Sequence, residues 1–175
     1  MRNASRLFGC AVLAAASLSC GDVVRQGRSP VYLTLDSLTG VDSTVAFSDV
    51  SVANRDLGNA TLNSVAKNVG VAPTSNNEVT ISRYHVSFRR ADGRNTPGVD
   101  VPYPFDGAVT ALVPASIQFE LVRRVAKEES PLAQLRGSRT VITTLADVTF
   151  YGKDRVGNDV SVTGTIQVDF GSGAS

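Results

Sequence analysis

Two long segments near the C-terminus alternate apolar and polar residues with a period of two. Between Val160 and Phe170 every second residue is apolar or glycine, and the residues between them are polar. Residues 142–151 alternate in a similar way, and the turn-forming residues 153–158 separate the two segments. A period of two places one face of a strand in the core and the other in water. We therefore predict a β-hairpin that closes the domain.

Shorter segments of the same character precede this hairpin and indicate an all-β protein. They lie at residues 31–38, 43–53, 60–66, 79–90, 109–113 and 117–125. In residues 43–53 the apolar positions are Val45 and Phe47, then Val50 and Val52, so a bulge is expected near Asp49. Seven to nine short strands with turns between them are typical of an antiparallel β-sandwich of immunoglobulin-like type. An open β-barrel is the alternative.

One segment interrupts the strand pattern. Residues 127–136 contain Ser130 followed by Pro131, a combination that favours a helix N-cap and first turn, and Gly137 follows as a stop. We predict one short helical turn near residues 130–136, linking two strands of the sandwich.

The N-terminus has the pattern of an export signal. Arg2 and Arg6 precede the uncharged, largely apolar residues 7–19, a run shorter than the roughly 20 residues that span a bilayer. The following Ser-Leu-Ser-Cys at residues 17–20 resembles the lipobox of bacterial lipoproteins, although Ser17 stands where Leu is commonest. This resemblance implies removal of residues 1–19 and attachment of acyl chains, such as palmitate, to Cys20. A secreted or periplasmic protein with an ordinary cleaved signal is the alternative, and a retained N-terminal anchor is another.

Cysteine usage agrees with this interpretation. The chain has two cysteines, and Cys10 lies in the segment that would be removed. The remaining thiol of Cys20 would be unpaired in an oxidising compartment, and a thioether bond to lipid accounts for it. Gly21 after Cys20 resembles a sorting pattern for the outer membrane in some bacteria. The expected organisation is a lipidated tether over residues 20–30 and a β-sandwich domain over residues 31–171.

Composition and motifs argue against several function classes. With 17 basic and 16 acidic residues the net charge is +1, and no basic patch points to nucleic acid, which we do not expect as a partner. His85 is the only histidine, and no hydrolase or metalloprotease motif accompanies it. We predict no catalytic residues, no metal and no cofactor. An envelope hydrolase would need a pair such as Glu120 and Asp147 about 5–10 Å apart. A calcium-dependent adhesion module would use the aspartates of the 154–159 turn.

The most suggestive binding surface lies in residues 89–106. Arg90 and Arg94 flank a glycine turn, and Tyr103 and Phe105 alternate with prolines that cannot donate to a β-ladder. Exposed rings beside guanidinium groups favour contact with an envelope protein or a glycan. Alternatively, the prolines protect a sheet edge and the two rings plug the open end of the sandwich.

Beyond the lipobox, the chain resembles small bacterial lipoproteins that carry an immunoglobulin-like β-sandwich of uncharacterised function. The resemblance rests on strand spacing and on the closing hairpin. It implies a fold and a location at the cell envelope, and it identifies no functional positions.

Overall fold

The architecture is described for residues 28–40, 45–70 and 74–173 of a computed structural model. The predicted signal segment, the predicted lipobox and Cys20 lie outside these residues. The described strands are β1 (Val31–Gly40), β2 (Ala46–Asp49), β3 (Asp56–Ala66), β4 (Val79–Arg89), β5 (Phe105–Leu112), β6 (Ala115–Val122), β7 (Ile142–Asp154) and β8 (Asp159–Gly171). Between them lie the short α-helix α1 (Arg124–Glu128) and the 3-10 turns Ser75–Asn77 and Leu132–Leu135.

The strands form two sheets that face each other. One has the order β1-β3-β6, and the other has the order β2-β8-β7-β4-β5 and curls into a half-barrel. The expectation of an all-β, sandwich-like fold is therefore confirmed. Aromatic rings join the sheets, since Phe119 of β6 contacts Tyr84 and Phe150 edge-on at centroid distances of 5.3 and 5.4 Å. Each such pair stabilises a fold by about 0.5–1.5 kcal/mol beyond the area it buries.

The predicted C-terminal hairpin is confirmed in detail. β7 and β8 pair antiparallel from Ile142 opposite Phe170 to Lys153 opposite Asp159. Their inward faces carry Val148, Phe150 and Phe170, which are fully buried. Burial of a large apolar side chain contributes about 1.5–3 kcal/mol, so the alternation seen in the sequence reports the main stabilising contacts of this hairpin.

Strand β2 corrects two expectations. It pairs parallel with β8, from Ala46 opposite Val168 to Asp49 opposite Gly171, so the sandwich is not wholly antiparallel. The sequence also assigned Val45 and Phe47 to the apolar face, whereas Ala46 and Ser48 point inward and Phe47 is exposed. The strand has only four residues, and the fully buried Val50 that follows it fixes which side chains face the core.

The helical segment is longer than predicted. Helix α1 begins at Arg124, within the segment 117–125 that the alternation indicated as strand, and β6 ends at Val122. The predicted turn near 130–136 corresponds to the 3-10 turn Leu132–Leu135. Ser130 does not cap it, because Pro131 occupies the N-cap position and the Ser130 hydroxyl accepts a hydrogen bond from Gln134 instead.

The strand directions give the sandwich two distinct ends. The start of β1, the turn 155–158 and the Val113-Pro114 junction lie at one end, which we call the tether end. The loops 90–104 and 123–141 lie at the opposite end, which we call the loop end. β7 and β8 each run 13 residues between the two ends, a length of about 40 Å. Among the described residues no helix is both long and apolar enough to cross a bilayer.

Candidate functional site

Loop 90–104 holds its own shape at the loop end. The backbone N–H of Arg90 donates to the Asn95 side chain at 2.6 Å, and the Thr96 carbonyl accepts from the N–H groups of Val99 and Asp100 at 3.1 and 2.8 Å. Val101, fully buried, attaches the loop to the core. Such a loop presents its exposed side chains in one arrangement, which lowers the entropy lost on binding.

Arg90 and Arg94 converge on a single carboxylate. Arg90 Nη2 lies 2.7 Å and Arg94 Nη2 lies 2.8 Å from Asp92 Oδ2. Hydrogen bonds from Arg90 and then from Arg94 hold the pKa of Asp92 far below its usual range. The three groups together carry one net positive charge. Arg94 is largely exposed and Arg90 is mostly covered, so Arg94 is the guanidinium that a partner could reach.

Tyr103 lies on a glycine of the same loop. A Cβ atom at Gly98 would collide with the Tyr103 hydroxyl, and Gly98 has a φ of 75°, which glycine adopts without strain. The Tyr103 side chain is 51% exposed, and the neighbouring Val99 is also exposed. The loop therefore offers an aromatic ring and an aliphatic side chain to solvent.

Phe105 does not belong to this surface. It begins β5 and is 7% exposed, packed edge-on against Tyr84 with the Arg123 guanidinium 4.7 Å from its ring centroid. The sequence grouped it with Tyr103 because both alternate with prolines. The strand pairing of Phe105 with Val86 instead turns its ring into the core. For Phe105 this agrees with the alternative given above, in which the ring fills the open end of the sandwich.

A second concave surface lies on the outer face of the five-stranded sheet, at its tether end. A groove of about 350 Å³ is lined by Ser82, Arg83, Tyr151, Gly152, Lys153, Asp159 and Val160. Ser82 is the extra residue of a β-bulge, because the register of β4 shifts between Ile81 and Arg83. In the sequence this bulge corresponds to a break in the alternation between Ile81 and Tyr84, whereas nothing in the sequence indicates the groove.

The groove is lined by cations. The Arg83 guanidinium stacks 4.0 Å from the centroid of the Tyr151 ring, and its distance to Asp106 Oδ1 is 3.8 Å. Lys153 lies 3.0 Å from Asp159. Both cationic side chains are more than half exposed, so solvent screens their attraction to the two aspartates. The two cations therefore remain available to an anion.

His85 lies on the same outer face. Its Nδ1 is 3.1 Å from Asp106 Oδ1, on the neighbouring strand β5. Its side chain is about one third exposed, so it belongs to the sheet surface.

The structure does not bring Glu120 and Asp147 together. Asp147 lies on the outer face of the five-stranded sheet, where Arg89 Nε is 2.8 Å away and Thr165 donates at 2.6 Å. Glu120 lies on β6 of the other sheet and alternates with the inward-facing Phe119 and Leu121. Burial alone would raise the pKa of Asp147, but the bonds from Arg89 and Thr165 outweigh it and lower that pKa. An ionised carboxylate of this kind is a poor general acid.

In the 154–159 turn the Asp154 carboxylate accepts hydrogen bonds from other residues of the same turn. Asp154 is buried, and its oxygens accept hydrogen bonds from the Val156 N–H at 3.1 Å and from the Asn158 backbone and side chain, both at 2.8 Å. Gly157 has a φ of 92°. The turn therefore accounts for this aspartate without a metal ligand role. Within the described ranges no three His, Cys, Asp or Glu side chains cluster closely enough to hold a metal ion.

Comparison with known proteins gives no family for this chain. No protein-family model and no curated protein matches it. A solved structure titled "X-ray structure of Northeast Structural Genomics Consortium target SoR45" aligns over 82% of this chain and 88% of its own, with 9% identity and a TM-score of 0.36.

Proposed function

We propose that this protein is a lipid-anchored component of a bacterial cell envelope, held in the outer membrane by acyl chains on Cys20. Its sandwich acts as a non-enzymatic module that binds another envelope protein or a glycan through the loop end. No cofactor and no nucleic acid takes part.

The arrangement of the sandwich, with the tether at one end and the long loops at the other, carries this proposal. Cys20 precedes the first described strand by a short tether, and that strand begins at the tether end. The long loops 90–104 and 123–141 lie about 40 Å away, at the other end of β7 and β8. An anchored domain of this kind presents its most elaborate loops away from the membrane, where a partner can reach them.

The loop end has chemistry suited to recognition. Tyr103 offers a half-exposed ring and Arg94 a largely exposed guanidinium, and both residue types are enriched among the side chains that dominate binding energy at interfaces. Stacking on a tyrosine ring would equally serve a sugar ring.

The hydrolase alternative has less support. Glu120 and Asp147 face away from each other on different sheets, and Asp147 is bound to Arg89. The calcium alternative has less support as well, because the oxygens of Asp154 already accept hydrogen bonds from the turn.

Two measurements on the protein in its own host test the proposal. Cys20→Ala should abolish fatty-acid labelling and release the chain from the membrane fraction, because acyl chains contribute about 0.8 kcal/mol per buried methylene. Unchanged labelling and retention would overturn the anchor.

Photo-crosslinking tests the loop end separately. A photoreactive phenylalanine in place of Tyr103 should give discrete crosslinked products, whereas the same replacement at Tyr32, which is similarly exposed but lies at the tether end, should not give those products. The Tyr103 products should also weaken in an Arg94→Gln background. Identical products from both positions would contradict a binding role for the loop end.

A further inference from the structure

We propose that the tether end docks on the anionic headgroups of the membrane that holds the anchor, with the Arg83–Lys153 groove receiving lipid phosphate. This inference rests on the proposed acyl anchor and adds a second, non-covalent contact to it. The sandwich would then stand on the bilayer instead of diffusing freely on its tether.

The path of the chain brings this end to the bilayer. Residues 20–28 extend at most about 30 Å, and the described chain then enters β1 at Val31. Ser29 is buried beside the hairpin turn, where its side chain hydrogen-bonds to the Asp154 carboxylate. The turn 155–158 therefore lies directly beside the point at which the tether leaves the domain.

Charge at this end is complementary to an anionic surface. Among the described residues the tether end carries Arg28, Lys67, Arg83, Lys153 and Arg155 against four carboxylates, those of Glu78, Asp106, Asp154 and Asp159. Asp154 is buried within its turn, and Glu78 is bound by Arg155. The surplus is therefore positive on the exposed surface. Each Lys or Arg close to an anionic leaflet strengthens binding by about fivefold.

The groove has the groups that phosphate recognition needs. Arg83 is 57% exposed, and its stacking on Tyr151 fixes the plane of the guanidinium. Lys153 lies across the same groove and is 58% exposed. A planar guanidinium with a nearby ammonium group matches the oxygens of a phosphate diester.

Exposed apolar side chains surround the cations. Val156, at the tip of the hairpin turn, is 68% exposed, and Tyr32 and Leu112 are more than half exposed at the same end. Tyrosine is favoured at the headgroup level, and an exposed aliphatic tip can enter the boundary of the acyl region. Cations beside such side chains favour a lipid surface over a small soluble anion.

Energy transfer to headgroup acceptors tests the inference on the processed protein reconstituted in vesicles. Single donors are attached through Val156→Cys or Val99→Cys, which mark the tether end and the loop end. The donor at position 156 should transfer more efficiently than the donor at 99, and the difference should grow when phosphatidylglycerol is added to phosphatidylcholine vesicles. Equal transfer from both positions, or no response to phosphatidylglycerol, would overturn the inference.

Paired variants assign the effect to the groove. Arg83→Gln with Lys153→Gln should remove most of the phosphatidylglycerol response, whereas Arg124→Gln with Arg139→Gln at the loop end should leave it unchanged. Equal loss from both double variants would show a net-charge effect and overturn the role of the groove.

The anchor and the docking surface fail in different ways. If the protein does not float with phosphatidylcholine vesicles, the acyl anchor is wrong. In that case, flotation on phosphatidylglycerol vesicles that depends on Arg83 and Lys153 would still support the docking surface. A lack of such flotation would refute the docking surface.

Discussion

The two ends of the sandwich are held together by different physical means. At the tether end, one buried carboxylate, Asp154, organises a short turn through local hydrogen bonds. At the loop end, a buried lysine is paired with groups from distant segments of the chain. Lys127 is 1% exposed, and its Nζ lies 2.8 Å from Asp56 Oδ1 and 3.0 Å from the Asp49 carbonyl. The turn at the tether end is thus held mainly by contacts close in sequence, with Ser29 as one distant donor, whereas Lys127 at the loop end is held by contacts 78 and 71 residues apart.

The loop-end network extends beyond the Lys127 ion pair. Arg136 Nε donates to the Val50 carbonyl and its Nη2 to the Lys127 carbonyl, both at 3.2 Å. Asp49 accepts from the Ser51 and Gly173 N–H groups at 2.8 and 3.0 Å. These bonds join β2, helix α1 and the segment after β8. This part of the loop end therefore depends on hydrogen bonds between segments that are distant in the chain, with Lys127 as the buried charge among them.

The largest effect is expected from Lys127→Met. Removing the ammonium leaves Asp56 without its ion pair, and Asp56 Oδ2 already lacks a hydrogen-bond partner among the described residues. Loss of one partner of a buried pair costs about 3–5 kcal/mol in the free energy of unfolding, and because Asp56 is 25% exposed we expect a loss of about 3 kcal/mol. Urea denaturation should show this loss. Arg124→Met removes an exposed cation from the same helix and should cost no more than about 1 kcal/mol. Equal losses of stability in Lys127→Met and Arg124→Met would show that the Lys127 ion pair does not stabilise the loop end as described.

A smaller effect is expected at the tether end from Asp154→Ala. The turn N–H groups of Val156 and Asn158 lose their acceptor, a cost of about 1–3 kcal/mol in the free energy of unfolding at neutral pH. Burial would raise the pKa of Asp154, but hydrogen bonds led by those from Asn158 outweigh it and lower the pKa.

This prediction has a definite pH dependence. Because the folded pKa of Asp154 lies below the unfolded value, its contribution is present above about pH 4 and is lost as the pH falls through the folded pKa. The gap between wild type and Asp154→Ala should therefore shrink in urea titrations below about pH 4. Asp36→Ala, at an exposed position of β1, serves as the control and should show no comparable gap. A gap for Asp154→Ala that is constant with pH would contradict the role given to its ionised form.

The smallest loss of stability is expected from replacing one glycine at each end. Gly98→Ala and Gly157→Ala both force alanine into a left-handed conformation, which costs about 1–2 kcal/mol. Open space surrounds Gly157, whereas a Cβ at Gly98 collides with the Tyr103 ring. Gly98→Ala should therefore also shift the NMR signals of the Tyr103 ring, and Gly157→Ala should not. Unshifted Tyr103 signals would show that the ring is not held against the glycine.

The sequence predicts best where many residues repeat one pattern. Residues 159–170 alternate long enough to fix both the existence and the inward face of β8. The four residues of β2 cannot do this, and alternation carries no information on whether a neighbouring strand runs parallel. The buried Lys127 shows a further limit, because an isolated lysine in a charged segment is normally exposed and only the fold brings Asp56 to it.

The candidate surfaces were predictable in part for the same reason. The sequence identified Arg90, Arg94 and Tyr103 within one loop, since proline and glycine mark loops locally. Phe105 was misassigned, because its strand pairing with β4 decides its orientation. The Arg83–Lys153 groove arises from a bulge and from cross-strand neighbours, so it could not be read from either strand alone.

The parallel pairing of β2 with β8 affects when the fold can form. β2 has β8 as its hydrogen-bonded neighbour, more than 120 residues later in the chain, and β7 also needs β8 to complete its antiparallel hairpin. A growing polypeptide therefore has no five-stranded sheet until β8 has been synthesised. Long-range pairing of this kind delays folding, which would suit the proposed export of the chain across a membrane in an unfolded state before β8 completes the sheet.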